Sequence, residues 1–223
     1  MSLPRRVRAV VFDMDGLLVD TEQAVYASMQ RASEARGRDV PMDVFRRMVG
    51  LPRAASDEII SAHFGAGFDL EGWAEDTRGR MQEAIAAGVA LKAGVNEILD
   101  HLDAVGLPRA IATSSSLEAV HHSLGPHNVL DRFNAVISRD VQVNSKPHPE
   151  PFLKAAAALG VDPVDSLALE DSHNGVRAAA AAGMMTIMVP DMLDPTEEMH
   201  SLCIRIARDL HEVVELLAAQ ERL

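Results

Sequence analysis

The sequence predicts an α/β fold, a parallel sheet covered by helices and interrupted once by an all-helical insertion. Three observations predict it. Short apolar, β-branched runs alternate with helical patterns through the second half of the chain, the pattern of parallel strands joined by crossover helices. Aromatic residues are only 4% of the 223 while 48% are apolar, and alanine runs at Ala155–Ala158 and Ala178–Ala182 suit closely packed helices. After the first strand-like run comes a long stretch of helical patterns with no convincing strand.

In chain order, the first strand is expected at Val7–Phe12, within "VRAVVFDMDGLLVDTE". The patterns "EQAVYASMQRASEA", "MDVFRRMVG", "AASDEIISAHF" and "WAEDTRGRMQEAIAA" then fill Thr21 to Ala87 as helices, and the chain is expected to return to the sheet near "GVALKAGV". Further strands are expected at Arg109–Thr113, Ala135–Ser138, Leu167–Leu169 and Thr186–Val189, with helices between. The division is therefore a core of residues 1–20 and 88–223 and a helical insertion of residues 21–87.

Composition removes several function classes. A net charge of −12 argues against nucleic-acid or membrane-surface partners, which call for a basic face. A single cysteine, Cys203, excludes a disulfide framework and fits a reducing compartment, where it fills core space. "MSLPRR" leads into the first strand without an apolar segment, and no apolar run reaches membrane-spanning length, so a soluble cytoplasmic protein is expected.

In an open parallel sheet ligands bind beyond the carboxyl ends of the strands, so polar residues directly after each apolar run carry the chemistry. The first strand delivers Asp13 and Asp15, the second "TSSS" from Thr113 to Ser116, the loop after the third "SKPHPEPF" with Lys146, and the fourth "EDSHNG" with Glu170 and Asp171. Singly, each has a bland reading: a strand-ending turn, a helix N-cap, a solvated loop cation, another cap. Together they place carboxylates, hydroxyls and a lysine on one sheet edge. Carboxylates suit a hard cation such as Mg²⁺, hydroxyls and lysine suit a phosphoryl group, and a carboxylate can itself be the nucleophile.

These motifs resemble those of the haloacid dehalogenase-like hydrolases, in particular the β-phosphoglucomutase and sugar-phosphatase branch. "DMDGLLVDTE", Thr113 with the following serines, Lys146, and "LALEDSHNGVRAAAAAGM" occur in the family's order between about Val7 and Val189. The resemblance implies a Rossmann-like core with an α-helical cap and a Mg²⁺-dependent phosphatase of small phosphorylated metabolites, sugar phosphates above all. It implies Asp13 as nucleophile and Asp15 as the acid and base. It further implies Asp13, the Asp15 carbonyl, Glu170 and Asp171 around Mg²⁺, and Thr113, Ser114 and Lys146 on the phosphate. "MVGLPRAASDEII" resembles a cap segment in which relatives place an arginine over the substrate, making Arg53 the specificity candidate beside its reading as a solvated helix-end residue.

Asp20 is expected to be structural, while Glu22 is open between a structural role and an entrance position. The adjacent His121 and His122 suit a solvated helix face, and His173 is not needed by an oxygen-liganded cation. A dehalogenase is disfavoured by Asp15. A phosphomutase is disfavoured by Val25, which stands where mutases of the branch carry a histidine. A receiver-type signalling domain is disfavoured by chain length and motif order.

Overall fold

The computed structural model describes residues 3–49, 51 and 53–220. The chain divides into two compact units, Met1–Val19 with Leu91–Leu223, and Asp20–Ala90.

The first unit is built on a sheet formed by β1 (Ala9–Phe12), β2 (Arg109–Ala112), β3 (Ala135–Ile137), β4 (Ser166–Glu170), β5 (Met185–Met188) and β6 (Arg205–Ile206). Its order is β3-β2-β1-β4-β5-β6, and every pairing is parallel. The two central strands, β1 and β4, are buried at every residue, which is why their sequences read as apolar runs rather than alternations. The first strand begins at Ala9 rather than Val7, and the edge strand β6 has no counterpart among the expected strands.

Side chains alternate across each strand. One face presents Val11, Ala110, Ala112 and Ala168 to Phe152, Ala155 and Ala156 of α7 (Glu150–Leu159) and to Ala178, Ala179 and Ala182 in and just after α8 (His173–Ala181). Alanines on both sides let the helices approach closely; within the two runs Ala155, Ala156, Ala178, Ala179 and Ala182 form the packing surface, while Ala157, Ala158 and Ala181 are exposed. Local residues bound both helices: Gly160 takes the left-handed conformation at the end of α7, and Ser172 caps the start of α8 by accepting from Gly175 N. The remaining helices of this unit are α5 (Val95–Val105), α6 (Leu117–Leu124), α9 (Glu197–Leu202) and α10 (Leu210–Gln220). Of these, α5 packs on α10.

Among the described residues of the second unit, the regular elements are helices: α1 (Thr21–Glu34), α2 (Met42–Arg46), α3 (Arg53–Phe64) and α4 (Leu70–Ala86). Trp73, buried on α4, donates from Nε1 to Ser33 Oγ on α1 at 2.9 Å, and Arg36 and Arg80 share Asp76. In the expected cap segment, Gly50 and Pro52 lie outside the described residues, as do Met1 and Ser2 of the N-terminal stretch. The expected return to the sheet near "GVALKAGV" is a single antiparallel bridge between Val19 and Leu91, not a strand. Among the described residues, no helix is long and apolar enough to cross a membrane.

Candidate active site

Register places the key carboxylates side by side. Phe12 pairs with Leu169 across β1 and β4, and Asp13 N donates to Leu169 O at 3.0 Å. Asp13 and Glu170 therefore leave adjacent central strands together, with Asp171 next in line. Asp13, Glu170 and Asp171 are all buried, and oxygens of the three lie within 4.8 Å of one another.

Lys146 reaches this cluster from the loop before α7. Its Nζ lies 2.5 Å from both Asp13 Oδ1 and Glu170 Oε1, and 5.0 Å from the Phe152 ring centre. Glu170 is fully engaged: its other oxygen, Oε2, accepts from Asp171 N, Ser172 N and Ser172 Oγ at 3.0–3.2 Å. The helix-opening residues thus aim Glu170 at the lysine.

Three buried carboxylates with one ammonium leave the site short of positive charge. Burial pushes the Asp13 carboxyl up to about 8; Lys146 opposes this, while Glu170 and Asp15 reinforce it. Burial disfavours the Lys146 ammonium, but Asp13 and Glu170 outweigh it and hold its pKa above the ordinary lysine value. An excess of buried oxygen donors over cations fits a hard divalent ion such as Mg²⁺.

Asp15 takes a different environment. Its Oδ2 accepts from Ser115 Oγ at 2.7 Å and from Thr113 Oγ1 at 3.3 Å, so hydroxyls rather than Lys146 hold it. Thr113, wholly buried after β2, also accepts from Ser115 N at 3.0 Å. Gln142 steadies the same turn by donating to the Thr113 and Ile137 carbonyls at 2.8 and 3.1 Å. Ser114 is exposed between them.

Asp13, Asp15, Thr113, Ser114, Lys146, Glu170 and Asp171 thus all belong to the sheet unit, at the carboxyl ends of its strands. Arg53 does not: it opens α3 in the helical unit, 64% exposed, with Nε 3.4 Å from Asp57 Oδ2. Ser115 and Gln142 were not singled out by the sequence; the hydroxyl run pointed to the first, and no local signal marks the second. Among the histidines, His121 and His122 are exposed, and His173 Nε2 lies 2.9 Å from Asp194 O. Cys203 is partly buried against Val176, Met188 and Met199, and burial pushes its thiol up to about 11, so it is no nucleophile near neutrality.

The family model for the haloacid dehalogenase-like hydrolases matches residues 10–189, a span that includes every one of these strand-end residues. The chain belongs to this family. Among the hydrolase's relatives, the "Probable pseudouridine-5'-phosphatase" of Drosophila melanogaster is 36% identical over 193 residues, covering 84% of this chain and 83% of the relative. Hexitol phosphatase B of Escherichia coli K12 is 33% identical over 201 residues, covering 85% and 86%. The crystal structure of CbbY from Rhodobacter sphaeroides in complex with phosphate superposes with a TM-score of 0.72 at 26% identity, covering 93% and 96%. The haloacid dehalogenase-like hydrolase described here is thus an enzyme of the phosphoric monoester hydrolase class, on a Rossmann-like α/β fold.

Proposed function

We propose that the protein is a Mg²⁺-dependent phosphatase of small phosphorylated metabolites, sugar phosphates above all, acting through an aspartyl-phosphate on Asp13. The observation that carries this reading is the separation of two aspartates two residues apart into different environments. Asp13 is buried against Lys146 and the acidic cluster, whereas Asp15 is held by two hydroxyls. Paired carboxylates in unlike settings divide nucleophilic from acid–base work.

In the first step an Asp13 oxygen attacks phosphorus and the bond to the ester oxygen breaks, with Asp15 protonating the departing alcohol. Asp15, now a carboxylate, takes a proton from water as that water attacks the phosphorus of the acyl phosphate. Inorganic phosphate leaves and Asp13 is restored. Lys146 offsets negative charge on the transferring group, and the hydroxyl of Thr113 and amide of Ser114 serve as phosphate donors. Asp13, Asp171 and the Asp15 carbonyl would hold Mg²⁺, with Glu170 alongside, and the ion would supply charge neutralisation and alignment of phosphoryl oxygens. The helical unit acts as the cap in this reading, and Arg53 is its contact to the substrate beyond the phosphate.

The reading is tested by a ³¹P NMR time course on β-glucose 1-phosphate and related sugar phosphates with Mg²⁺ and a trace of sugar bisphosphate. Release of inorganic phosphate faster than any isomerised sugar phosphate is expected. A mutase must shield the acyl phosphate from water and reward closure around a sugar, and Val25, with its apolar side chain, offers no hydrogen bond to one. Rapid isomerisation with little free phosphate would replace the phosphatase by a phosphomutase.

A further inference from the structure

Asp191, in the loop after β5, belongs to none of the motifs that mark the site, yet its geometry ties it to them. Its Oδ1 accepts from Lys92 Nζ at 2.6 Å, in a pair with side chains only 12% and 25% exposed. Its Oδ2 is shielded from solvent and has no hydrogen-bond partner among the described residues. A methyl group built on Gly16 would fall 2.2 Å from Asp171 Oδ2 and 3.5 Å from Asp191 Oδ2. Both carboxylates therefore flank the bare backbone of Gly16, directly after Asp15.

Lys92 is itself anchored to that turn. Its backbone N donates to Leu18 O at 3.0 Å, next to the bridge between Val19 and Leu91. The ammonium occupies one Asp191 oxygen and leaves the other directed toward Gly16, beside Asp171. A charged oxygen taken out of water without a donor is costly, so an orientation held this firmly calls for a donor beyond those that the described residues supply. Mg²⁺ keeps several of its waters when bound, and carboxylates just outside a metal's ligands commonly orient what binds it.

We propose that Asp191 is a positioning residue of the metal centre: its Oδ2 accepts a hydrogen bond from water carried by the divalent ion at Asp13 and Asp171, and Lys92 is the strut that aims it. This inference rests on the metal-dependent reading above.

The test is Mn²⁺ titration of the full chain without substrate, free Mn²⁺ being counted by EPR, with thermal unfolding in EDTA run in parallel. Asp191→Asn keeps an oxygen for Lys92 and removes the charge; Asp191→Ser serves the same test should the first variant not fold. Mn²⁺ affinity is expected to fall about 10- to 100-fold, the range for partners outside the ligand shell, with no loss of melting temperature in EDTA. The exposed Asp194→Asn, three residues away, is expected to bind Mn²⁺ as tightly as the wild type. An affinity that Asp191→Asn leaves near wild type, a loss shared equally by Asp194→Asn, or a loss matched by lower stability in EDTA would each overturn the inference alone. Absence of Mn²⁺ binding by the wild-type chain would overturn the metal-dependent reading itself.

Discussion

Ser115 Oγ donates a 2.7 Å hydrogen bond to Asp15 Oδ2, joining the loop after β2 to the turn after β1. The contact orients the proposed acid–base carboxylate from a residue one hundred positions away in the chain. Hydrogen bonds to charged groups contribute roughly 1.5–3 kcal/mol. Ser115→Ala is therefore expected to lower kcat about 10- to 100-fold, with a fall of several degrees in melting temperature at roughly 2–4 °C per kcal/mol. A kcat within twofold of wild type would leave Asp15 positioned by Thr113 alone.

Asp13→Asn is expected to abolish turnover, because an amide is a poor nucleophile, and to change how stability depends on pH. In the folded, metal-free protein the Asp13 carboxyl is raised to about 8. Folding therefore carries no penalty from it at acid pH, and a growing one as pH climbs from the ordinary aspartate range through about 8. The metal-free wild type should lose melting temperature over that window, and Asp13→Asn should lose less. Each kcal/mol recovered is worth roughly 2–4 °C in a chain of this length. Calorimetry in EDTA at several pH values gives the comparison, and parallel curves for the two proteins would refute the assignment.

Lys146→Met keeps the volume of the stem over Phe152 but leaves Asp13 and Glu170 without their shared ammonium. Steady-state kinetics should show a loss in kcat/KM of about 10²-fold or more, the scale of single preorganised electrostatic donors. Near-normal kcat/KM would make Lys146 a structural neutraliser only.

Gly175 lies in the first turn of α8, where an added methyl would come within 1.8 Å of the Glu170 carboxyl. A glycine inside a helix is ordinarily improved by alanine, by roughly 1 kcal/mol. Here the sign should reverse, because Glu170 must shift away from Lys146 or from the Asp171 and Ser172 amides. Gly175→Ala should lower both the melting temperature and kcat, and a rise in melting temperature would show that Glu170 is free to move.

Much of this molecule is readable along the chain because its signals are local. Val10, Val11 and Phe12 announce a buried strand, Ser172 and Gly160 bound their helices, and the acids, hydroxyls and lysine stand directly after apolar runs, where a parallel sheet exposes them. Order along the chain was enough to assign these residues to strand ends and, through the resemblance of the motifs, to a family. Other features exist only after pairing. The two-residue strand β6 is defined by its partner β5, not by any run of its own. Which serine meets Asp15 depends on the bend after β2, which turns Ser115 inward and Ser114 outward. Gln142 and Asp191 sit in loops with no periodicity to mark them, and Asp191 meets Lys92 across ninety-nine positions. Periodicity and caps report on contacts a few residues apart, whereas hydrogen bonds and charges between loops depend on where the sheet register brings their ends together, and that register is settled only by packing of the whole core.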